Sequence, residues 1–140
     1  MKNVKTVDFM ISSDPLYGSL TAIEASKDIP FDVKRVYYIY DVPDGTRRGF
    51  HSHVDLHQIL ICVHGSVKIL TKTPYEAQIT ELSKENKGLY IGPMVWREMY
   101  DFSEGAVLLV LASEHYTEDD YIRNYEKYEE MALKYFGGEK

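Results

Sequence analysis

The sequence predicts an all-β protein, a jelly-roll barrel with a short C-terminal α-helix, and three observations predict it. Short runs rich in Val, Ile, Thr and Tyr recur along the chain, separated by Pro- and Gly-containing turns at a spacing of roughly 8 to 12 residues. The continuous apolar run within Gln58 to Val63 suits a buried strand. A helical period appears only near the end. The whole length, residues 1–140, reads as a single domain, and at that size folding buries about 68 % of the surface that the unfolded chain exposes.

The elements follow in order. Val4 to Ile11 reads as a first strand, closed by the turn cluster Ser12-Ser13-Asp14-Pro15, and Gly18 to Glu24 as a second. Ile29-Pro30 breaks the chain before a strand from Phe31 to Val42. There Val33, Arg35, Tyr37 and Ile39 share one face, and Lys34, Val36, Tyr38 and Tyr40 share the other. Bulky side chains on both faces imply something packed on each, a second subunit being one candidate. Asp41 to Thr46 is a turn. After the strand Gln58 to Val63, His64-Gly65 is placed to turn a hairpin into Ser66 to Leu70. Strands are expected at 77–82, 89–91, 94–102 and 106–112. Thr117-Glu118-Asp119-Asp120 resembles a capping box. Tyr121, Tyr125, Tyr128, Met131, Ala132 and Tyr135 recur at helical spacing, giving a helix over about 118–136 ended by Gly137-Gly138. Packing against the barrel accounts for that stripe.

Charge and cysteine content narrow the class. Sixteen Lys and Arg against 22 Asp and Glu give a net charge of −6, and no dense basic cluster is present, which argues against nucleic acid or an anionic membrane as main partner. Cys62, the single cysteine, lies in an apolar run and reads as a buried structural thiol of a reducing compartment. No signal-peptide pattern opens the sequence and no apolar stretch reaches the ~18 residues of a membrane span. A cytoplasmic location is expected.

The stretch that carries chemistry is Arg48-Gly49-Phe50-His51-Ser52-His53. On an extended strand His51 and His53 point together to one face while Phe50 and Ser52 face away. Two imidazoles in one place serve as metal ligands, as a catalytic or ligand-binding pair, or stand together by chance on a surface. Spacing alone leaves all three open.

Gly49-x-His51-x-His53, then Gln58, then Gly65, resembles the first motif of the cupin fold, in which two histidines and a glutamate hold a metal. The departures matter. Gln58 replaces the carboxylate with a weaker neutral ligand. Arg97, in Pro93-Met94-Val95-Trp96-Arg97, stands where the last ligand histidine belongs, and a guanidinium repels a divalent cation. No metal is expected.

The segments 18–24, 29–39, 48–53, 88–93 and 110–113, in this order and spacing, resemble the dTDP-sugar 3,4-ketoisomerases, metal-free cupins related to the dTDP-sugar 3,5-epimerases. Tyr17 and Arg97 match the QdtA-type subgroup, which gives the gluco-configured product. The resemblance implies that dTDP-4-keto-6-deoxyglucose is converted to its 3-keto isomer through an enediol(ate), with no cofactor. It further implies His51 as the base and His53 as its orienter or proton relay. Tyr37 and Arg97 become the donors to the enediolate, and Tyr17 helps set the face on which carbon 4 is protonated. Arg35, Arg48 and Lys68 are candidates for the diphosphate, and Gln58 for the sugar or a phosphate oxygen. His57, His64 and His115 are assigned structural or surface roles. A homodimer with exchanged N-terminal strands (residues 4–24) is the implied assembly, a tetramer being the other.

Overall fold

A computed structural model describes residues 1–137; Gly138, expected to help end the helix, lies outside them. The strands are β1 (Val4–Asp8), β2 (Ser12–Asp14), β3 (Gly18–Leu20), β4 (Arg35–Ile39), β5 (Arg48–His53), β6 (Gln58–His64), β7 (Val67–Lys72), β8 (Ala77–Leu82), β9 (Lys87–Ile91), β10 (Trp96–Tyr100), β11 (Val107–Ala112) and β12 (Tyr121–Ile122), followed by α1 (Tyr125–Gly137). Two five-stranded antiparallel sheets, ordered β1-β9-β6-β11-β4 and β12-β5-β10-β7-β8, face one another, while β2 and β3 form a separate hairpin. The expected jelly-roll barrel with one C-terminal helix is what the chain adopts.

The continuous apolar run of β6 has a direct cause. Leu60 and Cys62 point between the sheets, into a core shared with Val67, Ile69, Leu89, Ile91, Leu108 and Val110. Ile59 and Ile61 point outward, and Phe9, Ile29, Phe31 and Leu111 pack against them. A strand buried on both faces loses the alternation that a half-exposed strand shows. Each of these isoleucines is worth about 2 to 5 kcal/mol against alanine.

The hairpin expected at His64-Gly65 does not form. β6 pairs with β9 and β11, whereas β7 pairs with β8 and β10, so the turn carries the chain from one sheet to the other. Gly65 has φ +75°, and a Cβ there would lie 2.4 Å from Ser103 Oγ; glycine is required by both backbone and space. Other boundaries shift. Ser12 to Asp14 is strand rather than turn, and Asp14 Oδ1 accepts the amides of Leu16 (2.7 Å) and Tyr17 (3.0 Å) to tighten the hairpin tip.

The helix begins at Tyr125 and not at residue 118. Thr117 makes no side-chain cap; the Asp120 amide donates to the Thr117 carbonyl at 3.3 Å instead, and the Asp120 carboxylate, which would close a capping box, is bonded elsewhere. Residues Glu118–Asp120 form one 3-10 turn, Tyr121–Ile122 joins β5 as a strand, and Asn124 caps the true helix by accepting the Lys127 amide at 2.9 Å. Tyr128, Ala132 and Phe136 make the buried line of α1, against Met94, Trp96 and Ile122. The tyrosine stripe is therefore only partly a packing stripe. Tyr121 lies outside the helix, and Tyr135 is 44 % exposed.

Candidate active site

The site lies between the sheets, where β5 and β10 face β4 and β6. A bulge shapes its β5 side. Arg97 opposes His51 while Glu98 opposes Gly49, so Phe50 is an extra residue. Gly49 takes φ +101° and Phe50 φ +48°. The bulge turns His51 inward and leaves Phe50 45 % exposed. His51 and His53 share the inner face as alternation predicts, with ring centroids 4.8 Å apart, edge to face. Ser52 points away from them into a fully buried position.

Hydrogen bonds fix the tautomer of each ring. His51 Nδ1 is 2.9 Å from the Gly49 carbonyl oxygen, which only accepts, so Nδ1 carries the proton and Nε2 keeps its lone pair. His53 Nδ1 is 2.9 Å from Asp120 Oδ2, which leaves His53 Nε2 bare as well; that atom is buried and unpartnered. Burial, and then the charge of Arg97, lower the affinity of both rings for a second proton, bringing His51 to about 3 and His53 down further. Both are neutral bases at physiological pH.

Arg97 is fully buried beside them. It donates from Nη1 to Gln58 Oε1 and, at 3.3 and 3.4 Å, to the Val95 carbonyl. Burial pulls its guanidinium down to about 10, still charged at neutral pH. Because arginine can only donate, it determines which end of the Gln58 amide faces it. The amide's Nε2 then donates to Tyr37 Oη at 2.9 Å. Tyr37 accepts that bond, so its own O–H remains free for the cavity, and burial raises its pKa and keeps it protonated.

The cavity, of about 310 Å³, is lined by Arg35, Tyr37, Ile39, Arg48, Gly49, His51, Met99, Tyr121 and Arg123, at the small end of the range for ligand clefts. Arg35 stacks over Tyr37 (5.2 Å) and Tyr116 (5.6 Å), with its Nε buried and unpartnered. A larger groove of about 760 Å³ between β1 and the loop 26–30 is lined by no imidazole or guanidinium.

Thus His51, Tyr37, Arg35 and Arg48 line one cavity, and His53, Arg97 and Gln58 lie buried alongside. Gln58 is spent on Arg97 and Tyr37 rather than offered to a ligand. Lys68 is elsewhere, paired with Asp101 at 3.1 Å beside a different cleft. Tyr17 sits at the β2–β3 tip, 90 % exposed and outside the cavity of its own chain. His57 bonds Tyr90 (2.6 Å) and His64 bonds the Gly105 carbonyl (2.8 Å), as fits structural roles. Sequence reasoning missed Asp120, Tyr121 and Arg123. All three fall within the helix expected over about 118–136, and Arg123 pairs with Glu118 at 2.6 Å while stacking on Tyr121. Among the described residues, no group of three or more His, Cys, Asp and Glu is placed to hold a metal ion.

A cupin barrel whose interior presents two neutral imidazoles, a phenol and a buried guanidinium is equipped for proton transfer at a polarised carbonyl. Residues 2–133 match the family model described as FdtA: WxcM-like, C-terminal. The chain is 47 % identical over 117 residues, 84 % of each chain, to the TDP-4-oxo-6-deoxy-alpha-D-glucose-3,4-oxoisomerase of Aneurinibacillus thermoaerophilus. It superposes at TM-score 0.95 on the H51N mutant of the 3,4-ketoisomerase QdtA from Thermoanaerobacterium thermosaccharolyticum in complex with TDP-4-keto-6-deoxyglucose, at 57 % identity over 97 % of this chain and 98 % of that one. That enzyme has also been solved as the double mutant Y17R/R97H with TDP; its residues 17, 51 and 97 have the same types and numbers here. The WlaRB TDP-quinovose 3,4-ketoisomerase of Campylobacter jejuni is 43 % identical over 93 % of this chain and 99 % of its own, at TM-score 0.89. The chain belongs to the FdtA, WxcM-like family of sugar-nucleotide 3,4-ketoisomerases.

Proposed function

We propose that this chain converts dTDP-4-keto-6-deoxyglucose to dTDP-3-keto-6-deoxyglucose, supplying a precursor for a 3-amino-3,6-dideoxyhexose. The observation that carries the reading is the pairing of His51, with a bare Nε2 facing the cavity, and Tyr37, on the facing sheet, with its proton free. His51 Nε2 takes the proton from carbon 3. The electron pair moves into the ring as the carbon 4 oxygen becomes an enediolate oxygen. Tyr37 donates to that oxygen, with Arg97 supplying positive charge through Gln58. Such a donor is worth about 2.7 to 4 kcal/mol of barrier. Return of the proton from His51 to carbon 4, and passage of the 3-hydroxyl proton to the carbon 4 oxygen as the carbonyl forms at carbon 3, complete the isomerisation with no net redox change.

Arg35, Arg48 and Arg123 at the mouth meet the diphosphate, a role that planar guanidinium serves well. Tyr17 reaches a cavity only from a neighbouring subunit. Its exposed tip, with Leu16 at 84 % and the outer face of β4 carrying exposed Val36, Tyr38 and Tyr40, supports a homodimer with exchanged N-terminal strands. A cytoplasmic site of action is in keeping with the lone buried Cys62. No described helix is long and apolar enough to cross a membrane.

The test is incubation with dTDP-4-keto-6-deoxyglucose in deuterated water, followed by NMR. A 3-keto product with deuterium at carbon 4 is expected. Deuterium at carbon 5 would indicate a 3,5-epimerase. An unchanged spectrum at high protein concentration would leave only a binding module.

A further inference from the structure

Asp120 has no part in the motifs that carry chemistry, the capping-box resemblance being its one sequence signal, yet its carboxylate is the polar group behind the histidine pair. Oδ2 accepts from His53 Nδ1 at 2.9 Å, Oδ1 accepts the Asp55 amide at 2.8 Å, and its backbone oxygen accepts the Val54 amide at 3.0 Å. The strap carrying it is laid along β5, where Tyr121 pairs with His53 and Ile122 with Ser52. His53 is fully buried and held edge-on by His51 on one side and Tyr121, at 4.4 Å, on the other. Its second nitrogen has no partner. A carboxylate facing one ring nitrogen dictates that the proton sits there. Asp120 is also one of the charges acting on Arg97, whose direct partners are Gln58 and a backbone carbonyl, both neutral.

We propose that Asp120 is a positioning residue for the proton transfer: it locks His53 with its proton on Nδ1, and its negative charge offsets the imidazolium that forms on the adjoining His51. This rests on the ketoisomerase reading for its catalytic half. When the carbon 3 C–H bond breaks and an N–H bond forms at His51 Nε2, a new positive charge arises beside the buried Arg97. The enediolate oxygen carries the matching electron pair on the substrate side. On the protein side Asp120 offers the compensating charge, with His53 as the polarised link. Without the carboxylate, burial and Arg97 would oppose the imidazolium, with the exposed Glu118, already paired with Arg123, as the remaining carboxylate acting on His51.

Asp120→Asn tests this. The amide oxygen can keep the Asp55 bond, but its N–H then faces His53 Nδ1 and moves the ring proton to Nε2. Three readouts apply to the full-length protein: nitrogen-15 NMR of the imidazoles, kcat with dTDP-4-keto-6-deoxyglucose, and TDP affinity by calorimetry. Expected are a switch of His53 from the Nδ1–H to the Nε2–H form, a fall in kcat of about 10²- to 10⁴-fold, and a TDP Kd within threefold of wild type. Asp120→Glu should restore the Nδ1–H form and part of the rate. An unchanged tautomer, a kcat within threefold of wild type, or loss of TDP binding in Asp120→Asn would each overturn the proposal, the last by making Asp120 merely structural. If wild-type protein fails to turn over the sugar nucleotide, the ketoisomerase reading falls; the tautomer measurement, which needs no turnover, still decides whether Asp120 sets His53.

Discussion

Gln58→Glu replaces one atom in the buried chain from Arg97 to Tyr37 and should separate stability from catalysis. In the wild type, Gln58 gives Tyr37 a hydrogen bond at 2.9 Å and takes one from Arg97. A carboxylate at the same place still accepts from Arg97 but has no proton to give. Tyr37 would turn its O–H onto the new acceptor and withdraw it from the cavity. The barrier then rises by the worth of one well-aimed donor, about 2.7 to 4 kcal/mol, or 10²- to 10³-fold in kcat. Stability should not fall, because the buried guanidinium gains a counterion in contact, a charge-assisted bond replacing a neutral one. Steady-state kinetics and thermal melts measure the two arms. Tyr37→Phe should cost a similar factor, and the double variant should be no worse than Tyr37→Phe alone, since both changes remove the same donor. A kcat within threefold of wild type for Gln58→Glu, or full additivity in the double variant, would refute the reasoning.

Other outcomes follow from the same geometry. His51→Asn should abolish turnover while TDP binding, followed by calorimetry, persists; a near-normal rate would remove His51 as the base. Both histidines are held below their unfolded pKa, so acid destabilises: their stabilisation is complete above pH 6.5 and is lost as pH falls toward 3, where His51 titrates. The unfolding free energy from urea titrations should therefore drop between pH 7 and 5, by about 2 kcal/mol per histidine, and an unchanged value would contradict the neutral, buried pair. If Tyr17 serves the neighbouring subunit, co-refolding inactive Tyr17→Ala and His51→Asn chains should restore about a quarter of wild-type activity, one sound site per mixed dimer; no recovery would place Tyr17 outside the site. Asn124→Ala should cost about 1 kcal/mol in the melting curve through loss of the helix cap, with little change in kcat.

Sequence pattern carried the strands and much of the site, and the failures have specific physical causes. His51 and His53 were legible because alternation on a strand survives the bulge at Phe50. β6 was legible as a buried run, but its partners were not, since a turn with glycine reads alike whether it closes a hairpin or crosses between sheets. Tyr37, Arg97 and Gln58 could be named one by one. Their connection could not, because it spans three strands far apart in sequence. The segment 117–124 misled outright: Thr, Glu, Asp and Tyr at those spacings satisfy a helix start, and only the presence of His53 across the fold takes Asp120 for another purpose.

That segment lies beyond the last long strand of the barrel, with consequences for how the chain becomes active. All five strands of the β6 sheet and four of the five in the other are in hand by Ala112. A chain lengthening from its N-terminus therefore has nearly every pairing available before Asp120, Tyr121 and Arg123 exist. Folding and competence are separable events here, with the second waiting on six residues, 118–123, whose loss would leave a barrel with both imidazoles present and nothing to hold one of them in place.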